Sequence, residues 1–128
     1  MTLEILKEEL RKAYQDYYVV GFSNNDLTLI DQVVQYPVAY ISNGQVKLYD
    51  QYPVDPARLK AEKGWDHSRD WSFDVVAISE TEGRIEASAT RCRADGSVIE
   101  HVHAYYAFTR VDGRWKMYAL SGVTTPGN

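Results

Sequence analysis

Hydrophobic and polar residues follow two different rhythms along this chain of 128 residues. In the first twenty residues, leucine, alanine and tyrosine recur every three or four positions with charged residues between them. That spacing predicts an amphipathic helix from residue 3 to residue 20. From residue 71 onward apolar and polar residues alternate with a period of two, which is typical of strands. The chain is therefore predicted to begin with helices and to continue as a sheet.

Shorter elements are predicted between these two regions. Gly21 and the polar residues after it end the first helix, and Asn25 is a candidate cap for a second, short helix. Asn43-Gly44 then predicts a type I′ turn between strands at 36–40 and 46–49.

A further helix is predicted by Asp55 and Pro56, a side-chain cap followed by a proline whose missing N–H costs nothing in the first turn. This helix ends before Gly64, and residues 64–68 form a loop or a short irregular strand. Strands are predicted at 71–79, 84–93, 98–109 and 114–120, with turns at Glu82-Gly83, Asp95-Gly96 and Asp112-Gly113. Residues 1–2 and 122–128 are predicted to be mobile termini.

Three segments resemble the NTF2-like superfamily, which includes SnoaL-like polyketide cyclases and ketosteroid-isomerase-like proteins. They are FSNNDLTL at 22–29, TRCRADGSV at 90–98 and DGRWKMYALS at 112–121. The resemblance implies one α+β domain over residues 1–128 with a cystatin-like cone, in which N-terminal helices pack inside a strongly curved mixed or antiparallel sheet. It also implies a pocket open at one end and a homodimer formed by the outer face of the sheet.

Composition narrows the classes of partner. There are 14 basic and 18 acidic residues, a net charge of −4 without any basic run, which argues against nucleic acid. The single cysteine, Cys92, excludes an internal disulfide and a cysteine-rich zinc site. No apolar run is long enough to span a membrane. We expect a cytoplasmic protein that needs no cofactor.

Strand alternation sorts the candidate cavity residues. The small residues Ala87 and Ala89 share a face with Arg91, which would be an anion-binding or orienting group if that face is concave and a surface charge if it is convex. On the next strand His103 and Tyr105 share a face with His101 and are taken to line the cavity. The opposite face carries Glu100, Val102, Ala104 and Tyr106.

The two histidines at 101 and 103 could share a metal with His67 or Asp66, or could be a hydrogen-bonded pair on a dimer face or a pocket wall; no metal is predicted. The predicted catalytic residues are Asp66 and His103, as proton carriers. The predicted ligand-binding residues are Tyr14, Tyr17, Tyr18, Trp65, His67, Arg91 and Tyr105.

Three functions remain open at this point. The first is the binding of a small apolar or aromatic molecule in the cone. The second is cofactor-independent acid/base catalysis of an isomerase, dehydratase or cyclase type. The third is a dimerisation or partner-binding module with a filled cone, and an open or a filled cavity distinguishes it from the other two.

Overall fold

The helices of the chain lie against one face of a single six-stranded sheet in a computed structural model, which describes residues 1–127. The predicted α+β class is confirmed. The helices are α1 (Leu3–Ala13), α2 (Val20–Ser23), α3 (Leu27–Asp31) and α4 (Pro56–Lys63). A π-helical segment, Tyr14–Val19, joins α1 to α2. The strands are β1 (Val34–Ser42), β2 (Gln45–Tyr49), β3 (His67–Ile78), β4 (Glu82–Cys92), β5 (Val98–Val111) and β6 (Arg114–Pro126).

The first helix follows the predicted hydrophobic rhythm. The hydroxyl of Thr2 accepts a hydrogen bond from the backbone N–H of Ile5 and caps the helix. Leu6, Leu10 and Tyr14, each four residues from the next, are buried against the sheet. The approach is close: a methyl group at Gly83 of β4 would lie 2.5 Å from a methyl carbon of Leu10. Glycine is therefore the residue that lets this helix lie directly on the sheet.

The sheet has the strand order β2-β1-β6-β5-β4-β3. β3 to β6 form an antiparallel meander, and β1 joins β6 in the one parallel pairing among the described strands. The β1–β2 hairpin turns at Asn43 and Gly44, both with positive φ as a type I′ turn requires. α4 also begins and ends as predicted, with Asp55 as its cap and Gly64 in the left-handed conformation after it.

Several predicted boundaries were wrong. Asp26, not Asn25, caps α3, because its carboxylate accepts the backbone N–H of Leu29. The turn before β4 is centred on Ser79–Thr81, whereas Glu82 and Gly83 pair within the strand.

All six strands are longer than predicted because neighbouring strands satisfy their backbone groups, and the extensions of β3 and β6 change two earlier predictions. β3 begins at His67, where it pairs with Cys92, so that residues 67 and 68 of the predicted loop or short irregular strand belong to the sheet. β6 continues to Pro126, which pairs with Glu100 of β5. Residues 122–126, predicted to belong to a mobile terminus, are therefore part of the sheet, whereas Asn128 lies outside the described residues. Within residues 1–127, none of the helices is both long and apolar enough to cross a membrane.

Candidate functional site

The inner faces of β4 and β5 form the wall that the helices cover. In their register Ile85 lies opposite Tyr106, Ala87 opposite Ala104, and Arg91 opposite Glu100. Residues that face each other across a ladder share one side of the sheet. The small side chains of Ala87 and Ala104 leave space in front of this wall.

That space is a cavity of about 410 Å³. It lies between the π-helical segment with α2, which we call together the helical segment, the loop before β3 and the inner face of the sheet. A cavity of this size is in the range of small-molecule sites. Its walls are formed by Tyr14, Tyr18, Val19, Phe22, Ser23, Trp65, Asp66, His67, Ser68, Trp71, Ala87, Ser88, Ala89, Arg91, Val102, Ala104 and Tyr106.

Four buried tyrosines form what we call the tyrosine floor: Tyr14, Tyr18 and Tyr106 line the cavity, and Tyr52 is bonded to Tyr18 without lining it. The rings of Tyr14 and Tyr18 stack with centroids 5.1 Å apart, and both belong to the π-helical segment. Tyr106 donates a hydrogen bond of 3.2 Å to the hydroxyl of Tyr18, which also shares a bond of 2.6 Å with Tyr52. π-helical turns are rare and often occur at functional sites.

The hydroxyls of the tyrosine floor stay protonated at neutral pH. Burial raises the pKa of Tyr14, Tyr18 and Tyr52 well above the ordinary value of 10.0, and the negative charge that a neighbouring tyrosinate would carry raises it further. Burial also raises the pKa of Tyr106. Three hydroxyls joined by two hydrogen bonds hold three protons, so one O–H is left over: that of Tyr52 if Tyr18 donates to it, or that of Tyr18 if Tyr52 is the donor.

A charged cluster lies beside the floor. Glu100 is buried on the inner face of β5, and its carboxylate accepts hydrogen bonds from Arg91 at 2.6 Å and from Lys63 at 2.9 and 3.0 Å. Burial alone would raise the pKa of Glu100, but the hydrogen bonds and charges of Lys63 and Arg91 outweigh it, so the pKa lies below its ordinary value. Glu100 is therefore ionised at neutral pH, and the cluster carries two positive charges and one negative charge.

The loop before β3 and the first two residues of β3 form the mouth of the cavity. The indole N–H of Trp65 donates to the hydroxyl of Ser68 at 3.0 Å, and the Trp65 ring packs on Phe22 with centroids 5.5 Å apart. Asp66 and His67 are hydrogen-bonded at 2.9 Å through Oδ2 and Nδ1, and both side chains are about half exposed. A carboxylate paired with an imidazole at a cavity mouth has the composition of a general acid/base pair.

A second cavity, of about 500 Å³, opens on the other side of the charged cluster. It lies between α4 and the ends of β1 and β6, with Leu59, Lys63 and Tyr40 among its walls. The two cavities share wall residues from the helical segment and the sheet: Tyr18, Phe22, Arg91, Val102, Ala104 and Tyr106.

Three of the predicted site residues lie away from the cavity. His103 and Tyr105 stack on each other on the outer face of the sheet, where His103 is hydrogen-bonded to Glu86 at 2.8 Å. The reason is a β-bulge. Cys92 pairs with Val98 but Arg91 pairs with Glu100, so Ile99 is an extra residue in β5. Because of this extra residue, the side chains of β5 that follow it lie on the opposite face from the one that an unbulged pairing with β4 would give them. Tyr17 is exposed on the outer side of the helical segment.

The remaining predicted residues surround the cavity: Tyr14, Tyr18, Trp65, Asp66, His67 and Arg91. His101, considered with His103 as a metal ligand, is bonded to the hydroxyl of Thr90 at 3.0 Å on the outer face. Within residues 1–127, no group of three histidine, cysteine or acidic side chains is arranged to hold a metal.

Sequence comparison places the chain in a family. The model of a family described as NTF2-like protein (DUF6841) matches residues 7–125. The chain belongs to this family. No curated protein matches the sequence.

Solved structures of other NTF2-like proteins have the same fold. An NTF2-like protein of unknown function from Shewanella baltica OS155 superposes with a TM-score of 0.67 at 11% identity, covering 99% of both chains. A conserved protein from Planctomyces limnophilus DSM 3776 has a TM-score of 0.66 at 14% identity, covering 93% of this chain and 95% of its own. A protein of unknown function with a cystatin-like fold from Nostoc punctiforme PCC 73102 has a TM-score of 0.65 at 10% identity, covering 94% and 91%. At such low identity the likeness shows the NTF2-like, cystatin-like fold alone.

Sequence reasoning missed several residues of this NTF2-like site, among them Val102, Ala104 and Tyr106, which were placed on the face opposite the cavity and in fact line it. Glu100 was placed on the face opposite the cavity, although a lone carboxylate in an otherwise apolar inner row such as Glu100–Phe108 is itself a signal of a buried ion pair. Phe22 was included only in a segment that resembles the family. Tyr52, in the irregular segment before α4, carried no periodic signal that would have pointed to the cavity.

Proposed function

We propose that this NTF2-like protein binds a small, largely apolar or aromatic molecule in the 410 Å³ cavity. The observation that supports this most directly is the composition of the walls. Aromatic rings from the helical segment, the mouth loop and the sheet surround the space, and a few polar groups converge on it: tyrosine hydroxyls, Arg91 and the Asp66–His67 pair. Apolar walls with few, well-placed polar groups are typical of small-molecule sites. The presence of this space also weighs against the filled-cone alternative.

The test uses 1-naphthol, a neutral aromatic probe, with Ala104→Phe and Ala107→Phe as matched variants. Ala104 is buried on the cavity wall, and Ala107 lies three residues further along β5 on the outer face, opposite Arg84. We expect wild-type protein to bind the probe with a Kd below about 1 mM, as a compact aromatic ligand in an apolar pocket should. Ala104→Phe should weaken binding at least tenfold because the new ring occupies the space, and Ala107→Phe should leave it unchanged.

Isothermal titration calorimetry gives the affinities, and circular dichroism with thermal unfolding checks that each variant is folded. Absence of wild-type binding, or equal affinities for a folded Ala104→Phe variant and wild type, would overturn the proposal.

A second function, cofactor-independent acid/base catalysis, is favoured by one observation. The Asp66–His67 pair lies at the mouth of the same cavity whose walls include the protonated hydroxyls of Tyr18 and Tyr106, so a proton acceptor and a proton donor border one space. In this version Asp66 and His67 carry the proton, and His103 has no part because it lies on the outer face. For any substrate found, Asp66→Asn should lower kcat without loss of folding, whereas His103→Gln should not; equal kcat for Asp66→Asn and wild type excludes the assignment.

We further propose that the protein is a homodimer that buries the outer face of the sheet. Exposed apolar side chains support this, because Ile41, Val46, Leu48, Tyr105 and Val123 lie on the sheet exposed by at least 41%. Light scattering coupled to size exclusion should give twice the chain mass of 14.6 kDa. A monomeric mass at micromolar concentration would contradict it. The cytoplasmic location stays a prediction from the sequence.

A further inference from the structure

Arg91 uses little of its hydrogen-bonding capacity inside the protein. The guanidinium has five N–H groups, and the bond found for it among residues 1–127 runs from Nη1 to Glu100 at 2.6 Å. Its side chain is only 14% exposed, yet it lines both cavities. The remaining N–H groups are therefore directed largely into the enclosed space rather than into bulk water, where a ligand can accept them.

The charge of the surrounding cluster is not balanced. Glu100 supplies one negative charge to the two positive charges of Arg91 and Lys63. The carboxylate in the wall of the first cavity, that of Asp66, is hydrogen-bonded to His67 at the mouth and is about half exposed. One further negative charge next to Arg91 would neutralise the cluster. Because the Arg91 side chain is only 14% exposed, its attraction for such a charge is screened less than it would be at the surface.

The geometry of the donor favours a carboxylate. A guanidinium presents its N–H groups in a planar fork that matches two carboxylate oxygens, which a single hydroxyl or amide oxygen cannot do. Tyr18 and Tyr106 line the same two cavities as Arg91, so tyrosine hydroxyls are also among the polar groups that a ligand held by Arg91 would meet.

We propose that the ligand of this cavity is an aromatic or apolar monocarboxylate, whose carboxylate is held by Arg91 and whose apolar body lies among the aromatic walls. The inference rests on the proposed binding function and specifies the chemical class of its ligand. The position of Arg91 between the two cavities places the carboxylate at their junction, next to Lys63.

The test compares two probes of equal shape, 2-naphthoate and 2-naphthamide, at pH 7 by calorimetry. On wild-type protein we expect the carboxylate to bind at least tenfold more tightly than the amide, the range of a charge-assisted hydrogen bond (about 10- to 100-fold). Arg91→Met should abolish this preference and leave the affinity for the amide within about threefold. Arg93→Met is the matched control: it removes the same charge at an exposed position just after the end of β4, bonded to Ser97, and the preference should persist.

Glu100→Gln gives a second readout with the opposite sign. Removing the negative charge that now occupies Arg91 should raise the affinity for 2-naphthoate and not for 2-naphthamide. The comparison of the two probes on wild-type protein needs no substitution, so it tests the proposal even if a variant fails to fold. Equal binding of the two probes overturns the carboxylate inference and leaves the binding function standing. Binding of neither probe overturns both.

Discussion

Removing a single oxygen atom from the centre of the tyrosine floor should cost more stability than removing one from its end. Tyr18→Phe keeps the ring and its stacking on Tyr14 but deletes the hydroxyl that bonds both Tyr52 and Tyr106. Two buried hydroxyls then lose the partner that they have in the native protein. Each such loss costs roughly 1–3 kcal/mol, so we expect the free energy of unfolding to fall by about 3 kcal/mol. Tyr52→Phe removes one bond and leaves Tyr18 bonded to Tyr106, for a loss of about 1 kcal/mol.

The reasoning makes a less obvious prediction for the variant in which all three hydroxyls are removed. Replacing every partner of a buried hydrogen-bonded set by an apolar group of the same shape is close to neutral, because no polar group is left unsatisfied. The triple Phe variant should therefore be more stable than Tyr18→Phe alone. Urea unfolding of the three variants measures this, provided that the m-value is unchanged. Equal losses for Tyr18→Phe and Tyr52→Phe, or a triple variant less stable than Tyr18→Phe, would refute the argument.

Two further predictions concern packing and pH. Gly83→Ala should lower the free energy of unfolding by about 1–3 kcal/mol, because its new methyl group meets Leu10 at 2.5 Å. The control Gly122→Ala, with no atom within 4 Å of the added carbon, should change it by less than about 0.5 kcal/mol. Similar losses at both positions in thermal unfolding would contradict this. Folding raises the pKa of the four floor tyrosines, so their contribution to stability is complete below pH 10. As pH rises from there towards the folded pKa values, the free energy of unfolding should decrease by about 1.4 kcal/mol per pH unit for each tyrosine. Tyrosinate absorbance at 295 nm should then show the floor ionising only together with loss of near-ultraviolet dichroism, and ionisation of all ten tyrosines in a folded protein would disprove it.

The sequence predicted most of the backbone because its signals are local. The cap and proline at Asp55 and Pro56, the left-handed Gly64 and the turns at Asn43-Gly44 and Asp112-Gly113 each depend on the conformational preference of one or two residues. These elements form where the chain predicts them. Strand ends were less predictable, since a strand ends where its neighbour stops supplying hydrogen bonds.

The candidate site was predicted only in part, and a single bulged residue accounts for much of the error. In an unbulged hairpin, Arg91 would lie opposite Ile99 and share its face with His101, His103 and Tyr105. Because Ile99 is an extra residue, Arg91 instead faces Glu100, and the histidines are outside. Nothing in the run Val98–Thr109 marks the bulge. One residue of register decides whether imidazoles or a buried ion pair face the ligand space.

The position of β6 has a consequence for how the sheet assembles. β6 lies between β1 and β5, although it is the last of the six strands in chain order. The hairpin of β1 and β2 therefore has no neighbour in the sheet until more than sixty residues further along the chain have been synthesised and folded back onto it. Pairing between distant segments closes a long loop and slows folding. A nascent chain on the ribosome should accordingly expose the unpaired edge of β1 until β6 has been synthesised.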